Sequence, residues 1–116
     1  MIKVNFEQKS NGLLRLTMHG HAEKDGKKRD DVCAACTALA YTLAQCFVIM
    51  ESDDKMQNKV RHDIRSGEAA VQAFPKDEYY NEAVQTFWTV MVGLSMIAHN
   101  YPDLVEVKED IKPIEG

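Results

Sequence analysis

The chain has 116 residues, 45% hydrophobic and 28% charged, with a formal net charge of −4. That is room for one core but not two, so residues 1–116 read as a single globular domain of ordinary soluble composition. The acidic balance argues against a nucleic-acid-binding protein and leaves the locally basic KDGKKR (24–29) as a solvated stretch.

Ile2, Val4 and Phe6 alternate with Lys3, Asn5 and Glu7, the period of a half-buried strand. The same opening stretch lacks the charged start and apolar centre of a signal peptide. KSNG (9–12) is turn chemistry, with Asn11-Gly12 suited to a hairpin. Leu14, Leu16 and Met18 alternate with Arg15, Thr17 and His19 in a second strand, which ends at Gly20-His21. EKDGKKRDD (23–31) holds no large apolar side chain and reads as a mobile loop.

From Val32 to Met50 there is no Gly or Pro, and the run is apolar nearly all round, which predicts a helix buried at the centre of the domain. Asp30 and Asp31 are its N-cap candidates, and the β-branched end at 46–50 leaves some strand character. Gln45 and the ESDD after Met50 interrupt what would otherwise be a membrane-spanning length. Cys33, Cys36 and Cys46 cannot all pair within one chain; an odd count with no leader predicts free thiols in a reducing cytoplasm.

Val60–Arg65 and Glu68–Phe74, joined by Ser66-Gly67, suggest a second hairpin ended by Pro75. Asp77 is placed to cap a helix over about 78–100, with Val84, Phe87, Trp88, Met91, Leu94, Ser95 and Ala98 on one stripe and Asn100 and Pro102 as the stop. Leu104, Val105 and Val107 predict a last short strand, after which KEDIKPIEG frays. The order ββαββαβ implies an α+β two-layer sandwich, a mostly antiparallel sheet with both helices on one face.

The chemistry lies between residues 19 and 39. Cys33 falls in the first turn of the predicted helix, where the dipole and free amides favour a thiolate and offer donors to an oxyanion. His21, at a strand end, is in place to act as its base. Asp30 and Asp31 oppose the thiolate by charge, or orient His21 as the third member of a triad does. Against this stands the ordinary role of a helical cysteine as a small buried hydrophobe, which fits Cys36 and Cys46 best. His62 and His99 read as surface or partner-satisfied histidines, and His19 as exposed. Two further readings stay open: His19-x-His21 with Cys33-x-x-Cys36 as a zinc site, and Cys33-x-x-Cys36 as a dithiol redox pair.

Gly20-His21-Ala22 at a strand end, then a polar loop, then Asp30-Asp31-Val32-Cys33-Ala34-Ala35-Cys36-Thr37-Ala38-Leu39 opening a helix, resembles the ribosomal-processing cysteine protease family, Prp. The resemblance extends more loosely over nearly the whole chain. It implies a small bacterial α+β protease, acting as a homodimer without a cofactor or metal. Such a protease removes an N-terminal extension from a large-subunit ribosomal protein, and no membrane or direct nucleic-acid contact is expected. On it, His21 is the general base and Cys33 the nucleophile; Asp30 supports His21 or the loop, and Thr37 keeps a hydroxyl on the site where the family has serine. Lys28 stands where the family commonly has a loop glycine, with Gly26 as a shifted hinge of a substrate loop. Asp31 replaces an aliphatic residue, and Cys36 replaces a small apolar one.

Overall fold

The computed structural model describes residues 1–114. Strand β1 (Ile2–Gln8) pairs antiparallel with β2 (Leu14–His19), placing Ile2, Val4, Phe6 and Leu14, Leu16, Met18 on one buried face. Helix α1 (Asp30–Ser52) follows two very short strands, β3 (Glu23–Lys24) and β4 (Lys27–Lys28). A second hairpin of β5 (Arg61–Arg65) and β6 (Glu68–Ala73) leads through a 3-10 turn at Asp77–Tyr79 to helix α2 (Tyr80–Asn100). Last comes β7 (Val105–Ile111), parallel to β1. The five-stranded sheet has the order β5-β6-β2-β1-β7, antiparallel except at β1–β7. Both helices cover its apolar face, so the α+β two-layer sandwich holds. Phe6, Leu14, Leu16 and Val71 of the sheet meet Leu43 and Phe47 of α1 and Phe87 and Leu94 of α2 in one core.

Several local expectations change. The 23–31 loop contains the β3–β4 hairpin, because Asp25 and Gly26 both take positive φ (54° and 75°) and so build the tight turn that two-residue strands need. Helix α1 is helical through Met50 and is buried on one face only: Val32, Cys36, Ala40, Leu43, Ala44, Phe47 and Met50 point inward, whereas Tyr41 and Ile49 are exposed. Much of its apolar count is alanine, which favours the helix more than it demands burial. By length and composition α1 is apolar enough to cross a membrane, contrary to the expectation from Gln45; here it packs against β6 and α2 as a core helix. Neither Asp30-Asp31 nor Asp77 caps a helix. Arg29 precedes α1 without a side-chain cap bond, which puts Asp30 and Asp31 inside the first turn, and Asp77 opens the 3-10 turn before α2. Trp88 leaves the predicted buried stripe of α2 and is 44% exposed. Strand β7 runs to Ile111 because it takes its hydrogen bonds from β1, so the predicted fraying begins later; residues 115–116 of that stretch lie outside the described residues.

One buried polar side chain fixes how α2 lies on the sheet. Gln8 at the end of β1 donates from Nε2 to Tyr80 Oη (2.9 Å) and accepts at Oε1 from Trp88 Nε1 (3.0 Å). Gln8→Leu strands both partners at the sheet–helix junction. It is expected to lower the unfolding free energy by about 1–3 kcal/mol, read from urea denaturation.

Candidate active site

The sheet ends its β2 strand against a cleft of about 200 Å³, and most of the residues around it come from four parts of the chain. The β2 end supplies His19, Gly20, His21 and Ala22; β4 supplies Lys28; α1 supplies Asp30, Cys33 and Thr37; the β5–β6 turn supplies Arg65 to Ala69. Gly20 sits at φ 101°, and a side chain there would collide with the Met1 carbonyl oxygen, so the sharp exit from β2 requires glycine. That exit leaves His21 exposed to the cleft and buries Ala22. The Ala22 N–H then donates to Cys33 Sγ at 3.3 Å, which ties the strand end directly to the first turn of α1. Cys33 is half-buried, with its sulfur at the cleft.

The amides of the first turn are less free than the sequence suggests, since the Cys33 N–H is bonded to the Arg29 carbonyl at 3.1 Å. The donor that meets the sulfur belongs to Ala22 instead. The two aspartates also part company. Asp30 faces the cleft, while Asp31 turns out into a two-pronged pair with Arg29 (Nε–Oδ1 3.0 Å, Nη2–Oδ2 2.8 Å). The guanidinium holds the Asp31 carboxyl below its usual range, and it lies 5.2 Å from the centre of the Tyr101 ring. Of the two carboxylates expected to oppose a thiolate at Cys33, Asp31 is therefore matched by an adjacent cation. Lys24 bonds Asp103 at 2.7 Å, so the β3–β4 hairpin leans on the corner between α2 and β7.

His21, Cys33, Asp30, Thr37 and Lys28 all line the one cleft. Gly26 does not; it forms the tip of the β3–β4 turn. Cys36 points away from the cleft into the core, where burial, and secondarily Cys33, pushes its thiol up to about 11. All three cysteines are free, and Cys46 is half-buried where a core position was expected. His19 is exposed, and among the described residues no group of three or more His, Cys, Asp or Glu side chains gathers closely enough to hold a metal ion. The proposed zinc quartet thus fails on placement, with Cys36 facing the wrong way. The β5–β6 turn was missed as part of the site: Ser66-Gly67 reads as a turn, but nothing local shows that it folds back onto His21.

A free thiol and an exposed imidazole on one cleft, with a backbone N–H on the sulfur, in a small α+β sandwich, define the cysteine peptidase class of site. The chain belongs to the family of cysteine protease Prp, whose model matches residues 1–106. Among solved structures it is similar to the essential ribosomal processing protease Prp from S. aureus in complex with a covalently linked product peptide (TM-score 0.68, 21% identity, 95% of this chain and 100% of that one). The same S. aureus protease with a substrate peptide gives a TM-score of 0.66 at 21% identity over 95% and 100% of the two chains. SMU.848 from Streptococcus mutans gives 0.68 at 22% identity over 97% and 96%. At these identities the likeness is one of fold. No curated protein matches the chain in sequence.

Proposed function

We propose that this chain is a cysteine endopeptidase that removes an N-terminal extension from a large-subunit ribosomal protein, with Cys33 as nucleophile and His21 as general base. The observation that carries the reading is the cleft itself. His21 and Cys33 both line it, and the Ala22 N–H donates to the sulfur, in a chain that belongs to the Prp family. The substrate class is taken from the similar S. aureus protease, described as a ribosomal processing protease. A homodimer working in the cytoplasm completes the reading, without metal or cofactor.

The chemistry then follows from the residues. Cys33 Sγ gives its proton to the His21 imidazole and attacks the scissile carbonyl. As the sulfur takes on negative charge, the Ala22 N–H is the donor that meets it. His21 returns the proton to the departing amine, leaving an acyl-enzyme on Cys33. His21 next takes a proton from water, which attacks the thioester and releases the second product. Asp30 and Thr37 line the cleft as supporting groups, and Lys28 on the β3–β4 hairpin reaches the peptide.

The test is a peptide spanning the N-terminal extension of the host's own ribosomal target, followed by mass spectrometry. One cut, unchanged by a metal chelator and by Cys36→Ala, is expected. Cleavage that stops on chelation or on loss of Cys36 would replace the peptidase reading with a metal or dithiol one.

A further inference from the structure

We propose that Gly67, in the β5–β6 turn, is a positioning residue for His21: the bare backbone at residue 67 is the wall against which the imidazole is set. The inference rests on the reading of His21 as general base and adds a residue that neither the motif nor the helix start supplies.

Two contacts carry it. The Gly20 N–H donates to the Gly67 carbonyl at 2.9 Å, so the turn is fixed to the residue immediately before His21. At the other end, a β-carbon on Gly67 would lie 2.6 Å from His21 Nε2 and 2.8 Å from Cε1. All three of its nearest neighbours would be atoms of that ring. The backbone is thus pinned at Gly20 while the ring rests on Gly67. Something must give when a methyl group is added, and the yielding atom is the tip of an exposed side chain. The fold survives by letting the imidazole move, and the imidazole is the group whose place matters. A shift of about 1 Å in a catalytic group is enough for a loss near 10²-fold.

Gly67 also sits at φ 77°, which any L-residue resists, so strain has to be separated from displacement. Gly12, in the β1–β2 connection, provides the control: its φ is 95°, and a β-carbon there would meet nothing within 4 Å. Gly67→Ala and Gly12→Ala should lower the melting temperature comparably. Only Gly67→Ala should cut kcat on the cleaved peptide, by about 10²-fold with KM little changed. Gly67→Asn tolerates the left-handed backbone while carrying the same β-carbon, and it should behave alike if Gly67→Ala folds poorly.

Two readouts need no substrate: the ¹H–¹³C resonances of the His21 ring, assigned against His21→Gln, and the rate at which iodoacetamide alkylates Cys33. Both should move in the Gly67 variants and stay put in Gly12→Ala. Parent-like ring resonances in a folded Gly67 variant, or an equal change in Gly12→Ala, would overturn the proposal. Failure of the parent to cleave any peptide would count against the peptidase reading alone, because the ring and thiol measurements still decide where Gly67 sets His21.

Discussion

Cys33→Ala is expected to abolish peptide cleavage, a loss of roughly 10⁴–10⁶-fold in kcat, because Cys33 carries the only thiol among the described residues that line the cleft. His21→Ala should lose less, roughly 10²–10⁴-fold, since some thiolate persists without its base. The double variant should be little worse than Cys33→Ala, as the two residues act in one step and their effects do not add. Neither side chain is fully buried: His21 is exposed, and Cys33 is half-buried against the edge of the core. The melting temperature of His21→Ala should therefore stay near the parent's, while Cys33→Ala should lose a little stability because the buried Ala22 N–H is left without its sulfur partner. Circular dichroism should show an unchanged fold in both. Cys36→Ala supplies the contrast. Its thiol is fully buried and pushed up to about 11, so it stays protonated near neutral pH and takes no part in the chemistry. Cleavage should persist in Cys36→Ala, with a modest loss of stability from the cavity. Progress curves across the four variants, run on one peptide, check the whole pattern; undiminished cleavage by Cys33→Ala would end the assignment of the nucleophile.

How much of this was legible beforehand depended on whether a feature was local. The alternation Ile2-Val4-Phe6 and Leu14-Leu16-Met18 marks strands because each inward residue meets the same core, and the pairing of β1 with β2 follows from the short turn between them. His21 and Cys33 were legible for a similar reason: a strand end and a helix start carry their own chemical signature. Helix α1 misled on burial because alanine counts as apolar while leaving little surface to hide. The β3–β4 hairpin escaped since two-residue strands show no periodicity, although Asp25-Gly26 is the turn pair that hairpins favour. Strand β7 ran longer than predicted because Glu106 to Ile111 are held by main-chain bonds to β1, to which side-chain pattern is blind. The contact of Gly67 with His21 is of the same sort. It arises only when β6 pairs with β2 and brings Glu68 opposite His19, and that register is written in no short stretch of sequence.

Phe87→Ala should be among the most damaging single changes to the fold. Phe87 of α2 is fully buried, and its ring meets Phe6 of β1 edge to face, with centroids 5.1 Å apart and planes at 76°. Removing it forfeits the transfer free energy of the ring, the edge-to-face contact and the packing of everything around the void, together about 3–5 kcal/mol. A domain of this size has about 5–15 kcal/mol in all, so the midpoint of thermal unfolding should fall by roughly 10–25 °C. Phe87→Leu fills much of the space and should cost less than half as much. The next residue is the control: Trp88 is larger but 44% exposed, and Trp88→Ala gives up mainly its bond to Gln8, about 1 kcal/mol. Urea unfolding of the three variants orders them directly. The ordering bears on the site because α2 holds β1 in place, β1 pairs with β2, and β2 ends at His21. Cleavage by Phe87→Ala should consequently be normal well below its own melting point and vanish with the unfolding transition. A loss under about 1 kcal/mol would mean that the core closes over the gap, and the Phe6–Phe87 contact would no longer explain how the helices are fixed to the sheet.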